Sequence, residues 1–261
     1  MPEGVEIELY RQAADAVIGR RIVSVDAPDA YFVKGGGSPS IVTTALEGRT
    51  VTGTDRIGKL LLVELDREHG ALGLRFGMTG RLVVDGHAAI DRLEYSSGRD
   101  DPAWDRFSLS FGDGGLLRVN DPRRLGGVEL APDLSALGVD LFDATPARLR
   151  AALGTSNVAL KTRLLDQRRI AGVGNLIADE TLWRAGLDPS RPAGSLNGNE
   201  IRRLSATLRR TATGLLAAGG SHLGRLQPAR VRGGLCPRDG APLDRRTIGG
   251  RTSYSCPVHQ V

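Results

Sequence analysis

Apolar residues recur every fourth position at Val5, Leu9, Ala13 and Val17. That spacing lays one stripe along a helix, so residues 4–18 are expected to be helical. From Ile22 the rhythm changes to short apolar runs: RIVSVDA, TVTGTD, KLLLVELD, ALGLRF, RLVV, FSLSF, LLRVN and GGVEL, parted by Gly, Asp and Asn. Such runs predict antiparallel strands in a sandwich or barrel, with the glycine-rich stretch 34–40 as a loop. The rhythm stops at 131–146, where a domain boundary is expected. Beyond it, Thr145 before Pro146 reads as a helix start running to Leu153, and Ser156 is placed to cap the next segment. Residues 160–187 read as a helix, a glycine turn and a second helix from about Asn175. A further helix over 197–220 shows Ile201, Leu204, Leu208, Leu215 and Leu216 at apolar spacing. The end of the chain returns to turns and short β runs. The expected class is α+β. Residues 1–135 form a helix with a β-sandwich, 136–144 a linker, 145–220 a helical domain and 221–261 a β-hairpin segment.

Length and composition are ordinary for a globular protein of one or two domains: 261 residues, 40% hydrophobic. No apolar run is long enough to span a bilayer. The start MPEGVEIELYR is acidic and lacks an apolar stretch, which excludes a signal peptide on this reading and predicts a cytoplasmic, nucleoid-associated protein without membrane partners. The net charge of +5 is carried almost wholly by arginine, since lysine occurs only at Lys34, Lys59 and Lys161. An arginine-rich surface suits a polyanion, although arginine usage also follows genome composition. Cys236 and Cys256 are the two cysteines, too few to staple a chain of this size.

Five motifs carry candidate chemistry. Removal of Met1 from MPE leaves Pro2 as a free secondary amine, which titrates near pH 8 and is nucleophilic at neutral pH. Glu3 beside it can deliver a proton. Many unrelated proteins begin the same way. Lys59 opens an apolar strand and can meet a phosphate, or simply be solvated. NDPRRLGG (120–127) puts two arginines and Leu125 on a turn, a form suited to filling the gap left by a flipped base and equally to a plain basic hairpin. AGVGNLIADE (171–180) sets glycines before a helix start whose amides are unpaired, with Asn175 as an added donor. CPRD (236–239) and CPVH (256–259) stand 16 residues apart, a zinc-hairpin spacing whose ligands would be Cys236, Asp239, Cys256 and His259. The other reading is a metal-free hairpin with two thiols.

In this order the pieces resemble the Fpg/Nei family of DNA glycosylases, the formamidopyrimidine-DNA glycosylases and endonuclease VIII. The matching stretches are MPEGVEIE, RIGKLLLVEL, LRFGMTGRL, NDPRRLGG, LLDQRRIAGVGNLIADETLWRAGLDPSRPA and GGRTSYSCPVHQ. The resemblance implies a C-terminal helix-two-turn-helix domain ending in a zinc-type finger, with double-stranded damaged or abasic DNA bound by a monomer in a basic cleft. It implies base excision through a Pro2 iminium, followed by β- and δ-elimination, with one structural zinc and no catalytic cofactor. Pro2 then resembles the nucleophile, Glu3 the general acid and Glu6 the carboxylate that orients sugar and water. Lys59, Asn175 and Arg251 resemble a phosphate clamp, and Lys161 a further DNA contact. Met78, Arg123 and Leu125 fall where the family fills the vacated base position, Leu125 replacing the more usual aromatic. The finger departs from the common pattern in having Asp239 and His259 for cysteines. The stretch before Cys236 is also short, where Fpg carries a loop closing over 8-oxoguanine. That shortness leans toward a Nei-like preference for oxidised pyrimidines; the alternative is an Fpg enzyme specific for 8-oxoguanine and formamidopyrimidine. The rival from another class is a non-catalytic reader of damaged DNA, which would need neither Pro2 nor Glu3.

Overall fold

The computed structural model describes residues 2–66, 70–90, 93–94 and 98–261. They form two compact units, one of Pro2 with Glu6–Ser135 and one of Glu3–Val5 with Ala136–Val261.

The first unit is a β-sandwich with a helix. Helix α1 (Gly4–Ala14) is followed by a single 3-10 turn, Asp15–Val17, so the helical stretch 4–18 tightens over its last residues. One sheet has the order β1-β7-β8-β5-β6, built from Ile22–Asp26, Asp105–Phe111, Leu116–Asn120, Arg81–Val84 and His87–Ala88. The other has the order β2-β3-β4-β9, built from Val51–Ile57, Leu60–Leu65, Ala71–Arg75 and Gly127–Leu130. The expected strands are all present because alternation sets their inward faces: in β7, Phe107, Leu109 and Phe111 are buried while their neighbours are half-exposed. Those side chains meet Leu61, Val63, Leu72 and Leu74 of the other sheet, and Ile7, Tyr10 and Ala14 of α1, in one core. Each such side chain contributes roughly 1.5–3 kcal/mol when fully buried. The loop expected over 34–40 ends early. Ser38 caps helix α2 (Pro39–Leu46) by accepting the N–H of Ile41, and Pro39 occupies the first turn, where its missing donor costs nothing.

The second unit is mainly helical: α3 (Pro146–Leu153), α4 (Leu160–Leu165), α5 (Asn175–Ala185) and α6 (Gly198–Ala218). Residues 136–144 are not a bare linker. Val139–Asp140 (β10) pairs in parallel with Ile170–Ala171 (β11), and Leu141 and Ala144 enter the helical core. Ser156 does not cap α4; it accepts the N–H of Val158 and closes a local turn, and α4 starts at Ala159 without a side-chain cap. Helix α6 has a capping box between Asn197 and Glu200 and ends on Gly219 at φ 101°. The hairpin β12–β13 (Asp244–Ile248, Arg251–Ser255) turns on Gly249 and Gly250, both at positive φ as a two-residue hairpin demands. Its base packs Trp183, Leu226, Cys236, Leu243, Tyr254 and Cys256 together.

Candidate functional site

In the first unit, Pro2 is buried and lines a cavity of about 210 Å³ with Ile7, Lys59, Arg75, Phe76, Gly77 and Leu125. Met1 lies outside the described residues. Lys59 stands in the two-residue turn between β2 and β3, after Gly58 at φ 60°. Glu6 is 1% exposed on α1. Burial, and then the nearby Glu6 carboxylate, push the Tyr10 hydroxyl well above its ordinary range. It stays neutral and donates to the Gly80 carbonyl at 3.1 Å.

The NDPRRLGG turn is held from inside by Asp121, which is fully buried. Its Oδ1 accepts from the Thr79 hydroxyl at 2.7 Å and the Arg123 N–H at 3.1 Å. Its Oδ2 accepts from the N–H groups of Leu125 at 2.9 Å and Gly126 at 2.8 Å. Arg124 stands at φ 57° and forks onto Asp29 through Nε at 2.5 Å and Nη2 at 2.7 Å. With the turn fixed at both points, Arg123 and Leu125 face solvent, Leu125 at 48% exposure. Met78 is half-buried in the turn after β4. Its neighbour Gly77 has no room for a side chain, since a Cβ there would lie 2.5 Å from the Leu125 carbonyl carbon.

In the second unit, Glu3 takes over the capping of α5. No side chain at Gly174 can serve, and the Glu3 carboxylate accepts the N–H groups of Leu176 at 2.9 Å and Ile177 at 3.0 Å. A carboxylate at a helix N-terminus is worth up to about 2 kcal/mol when partly buried. Gly174 is required for this approach, because a Cβ would fall 2.1 Å from the Glu3 carboxyl carbon. The turn before α5 is shaped by Gln167, which donates to the carbonyls of Leu165 and Val173 and accepts from Gly172 N–H. Gly172 in turn accepts from Gly4 N–H at 2.8 Å, which places the Glu3 backbone. Asn175 is half-buried at the first helical position, and its Oδ1 is buried with no hydrogen-bond partner among the described residues. Arg251 is exposed beside the hairpin tip.

Lys161 requires a correction. It is completely buried, 2.7 Å from Asp179 Oδ1, and donates to the Thr252 carbonyl at 2.9 Å. Desolvation pulls its ammonium below the ordinary lysine range, while Asp179 opposes the shift. A side chain so enclosed cannot reach DNA. Asp179, absent from the motif reading, also accepts from Arg230 Nη2 at 3.0 Å, the Ser253 hydroxyl at 3.0 Å and the Tyr254 N–H at 3.2 Å. It thereby joins α4, α5, the 221–235 segment and β13. Asp29, Asp121 and Asp179 all escaped motif reading because their partners are remote or are backbone groups; the one local hint was Asp-Pro at 121.

Donor atoms of Cys236, Asp239, Cys256 and His259 all lie within 4.8 Å of one another. His259 Nε2 lies 3.2 Å from the Trp183 carbonyl, which can only accept, so Nε2 carries the proton. Nδ1 faces Asp239 Oδ2 at 2.8 Å and Cys236 Sγ at 3.9 Å. In a neutral ring Nδ1 is then a lone pair directed at a carboxylate and a sulfur, an arrangement that a cation among them resolves. Trp183 Nε1 and the Arg238 N–H both donate to Cys236 Sγ, at 3.3 and 3.4 Å. The four residues fit a tetrahedral metal ion.

The chain is similar to known proteins over its whole length. The family model of the formamidopyrimidine-DNA glycosylase N-terminal domain matches residues 1–128, and that of its H2TH domain matches 137–225. The chain is 34% identical to the formamidopyrimidine-DNA glycosylase of Geobacter metallireducens, over 98% of both chains, and 34% identical to that of Paracoccus denitrificans over 100% of both. Among solved structures, it resembles a Lactococcus lactis formamidopyrimidine DNA glycosylase bound non-covalently to DNA containing an AP site. The TM-score is 0.83, the identity 25% and the coverage 99% of each chain. A complex of the wild-type Lactococcus lactis protein with DNA containing an oxidised pyrimidine matches with TM-score 0.82, 25% identity and the same coverage.

Proposed function

Since the chain belongs to the formamidopyrimidine-DNA glycosylase family, we propose that it is a base-excision-repair DNA glycosylase with AP lyase activity that acts on ring-opened and oxidised purines in duplex DNA. The observation that carries this reading is the cavity in which Pro2 and Lys59 stand together. Once Met1 is removed, the Pro2 amine attacks C1′ of the damaged nucleotide while Glu3, next in the chain, protonates O4′ as the C1′–O4′ bond breaks. The damaged base then leaves C1′ with the bonding electrons and takes up the proton shed by the Pro2 nitrogen, which leaves an iminium between Pro2 and C1′. Glu6 orients sugar and water. The resulting iminium makes the C2′ proton acidic, so the strand is cut by β- and then δ-elimination. Lys59, Asn175 and Arg251 hold the backbone around the flipped nucleotide. Met78, Arg123 and Leu125 fill the space left by the flipped base, with Arg123 toward the orphaned base. An ion at Cys236, Asp239, Cys256 and His259, which we take to be zinc, would crosslink the two turns at the hairpin base.

The short 221–235 segment by itself favours oxidised pyrimidines. The relatives named above are all formamidopyrimidine-DNA glycosylases, and that supports the purine reading instead. Borohydride treatment of the protein with abasic duplex DNA tests the mechanism: a covalent adduct is expected, carried on the N-terminal peptide. An adduct mapping to Lys59, or no adduct at all, overturns it.

A further inference from the structure

Tyr31 is 64% exposed, yet it belongs to a one-turn helix, Ala30–Phe32, that is firmly fixed. Phe32 beside it is fully buried, and Asp29 accepts the Tyr31 N–H at 3.1 Å. Lys34 Nζ sits 4.0 Å from the centroid of the Tyr31 ring and donates to the Tyr31 carbonyl at 2.6 Å. The Arg124 guanidinium carbon is 5.5 Å from the same centroid. An exposed ring on rigid backbone, steadied by two cations, loses little freedom when a partner covers it.

The charges select the partner. Arg124 is committed to Asp29 by two hydrogen bonds, so Lys34 and the exposed Arg123 of the same turn supply the positive excess. The occupant is therefore anionic and offers surface for an aromatic ring. A nucleic-acid backbone has phosphates for Lys34 and the tyrosine hydroxyl, and sugars for the ring. Tyr31 is not among the residues lining the Pro2 cavity; it lies by the side of the turn that carries Arg123. We propose that Tyr31 and Lys34, braced by Arg124, bind the sugar–phosphate backbone of the DNA strand opposite the lesion. This rests on the glycosylase reading, which turns Arg123 toward the orphaned base.

The test compares Tyr31→Ala and Lys34→Ala with the wild-type protein. Binding is measured to a duplex holding an abasic-site analogue and to the same lesion strand alone. Tyr31→Ala is expected to weaken duplex binding about ten-fold, the scale of one aromatic contact with nucleic acid, and to leave single-strand binding within about two-fold. Its melting temperature should match the wild type, because the ring lies outside the core. Lys34→Ala should flatten the slope of log Kd against log salt on the duplex by about one. Unchanged duplex binding by Tyr31→Ala, equal losses on duplex and single strand, or an unchanged salt slope for Lys34→Ala overturns the proposal. Failure of the glycosylase reading shows separately, as wild-type protein that neither prefers the lesion duplex to an undamaged one nor traps on it with borohydride.

Discussion

Arg124 keeps a left-handed backbone, φ 57°, that costs an ordinary residue roughly 1–2 kcal/mol, and it keeps it because Asp29 takes the Nε–Nη2 edge of its guanidinium in two hydrogen bonds. Hydrogen bonding from Arg124 holds the Asp29 carboxyl below its ordinary range, against the effect of burial. A carboxyl depressed in the folded state adds stability above its unfolded pKa and loses it as pH falls through the folded value. The urea midpoint of Asp29→Asn should therefore lie below that of the wild type by a constant margin from pH 7 to pH 5, and the margin should shrink below about pH 4. A margin that persists in acid would mean the pair does not depend on the carboxylate charge. At Pro2 the expected outcome is chemical. Protein retaining Met1 should not trap on abasic DNA, whereas Pro2→Gly, which keeps a free primary amine, should trap weakly. Pro2 and Glu3 stand out as candidates because MPE offers an amine next to a carboxyl, but three letters shared with many unrelated proteins carry the reading only together with the later motifs. The Asp29–Arg124 pair does not stand out, since its members are 95 positions apart and Asp29 belongs to no motif.

At the scale of elements, strands were easier to read than short helices. Period-two burial marks a strand within five residues, whereas α2 is eight residues rich in β-branched side chains and depends on its cap and Pro39. Helix α5 and the hairpin were both visible, but the bond between them was not: Asp179 reads as one more polar residue on a helix. That bond decides how Lys161 behaves. Lys161→Ala should leave the salt slope of DNA binding unchanged and lower the melting temperature, because breaking a buried ion pair from one side costs about 3–5 kcal/mol. Asn175→Ala and Arg251→Ala should instead weaken binding to all duplexes alike, by about 1–3 kcal/mol each. Arg123→Ala should change the preference for the base opposite the lesion. Equal, sequence-blind losses in all three would remove the distinction between backbone and base contacts. The hairpin base offers one more check. Purified protein should carry about one zinc per chain, and chelation should lower the melting temperature and DNA affinity together. Metal-free protein with full stability would leave the hairpin to Trp183, Tyr254 and the Asp239–His259 contact.

The whole molecule poses the question of which base is removed. Motif order along the chain fixed the family, because the stretches that match it run from the N-terminus to the finger. Lesion choice was harder, because it depends on a pocket whose walls no motif names. The 221–235 segment is short and well tied: Glu180 accepts the N–H groups of Arg225 at 3.1 Å and Leu226 at 2.8 Å, and Arg230 is bound to Asp179. Length alone suggested oxidised pyrimidines, but length reports only what could close over a base, not what the remaining walls recognise. A formamidopyrimidine has lost its imidazole ring and bends more easily than an intact purine, so a pocket with a fixed wall should accept it at lower cost than planar 8-oxoguanine. Single-turnover excision from matched duplexes is therefore expected to run fastest on formamidopyrimidine opposite cytosine, then 8-oxoguanine, then an oxidised pyrimidine. If the oxidised pyrimidine is removed first, the tied segment governs specificity after all, and the enzyme works on the substrates of endonuclease VIII despite its relatives.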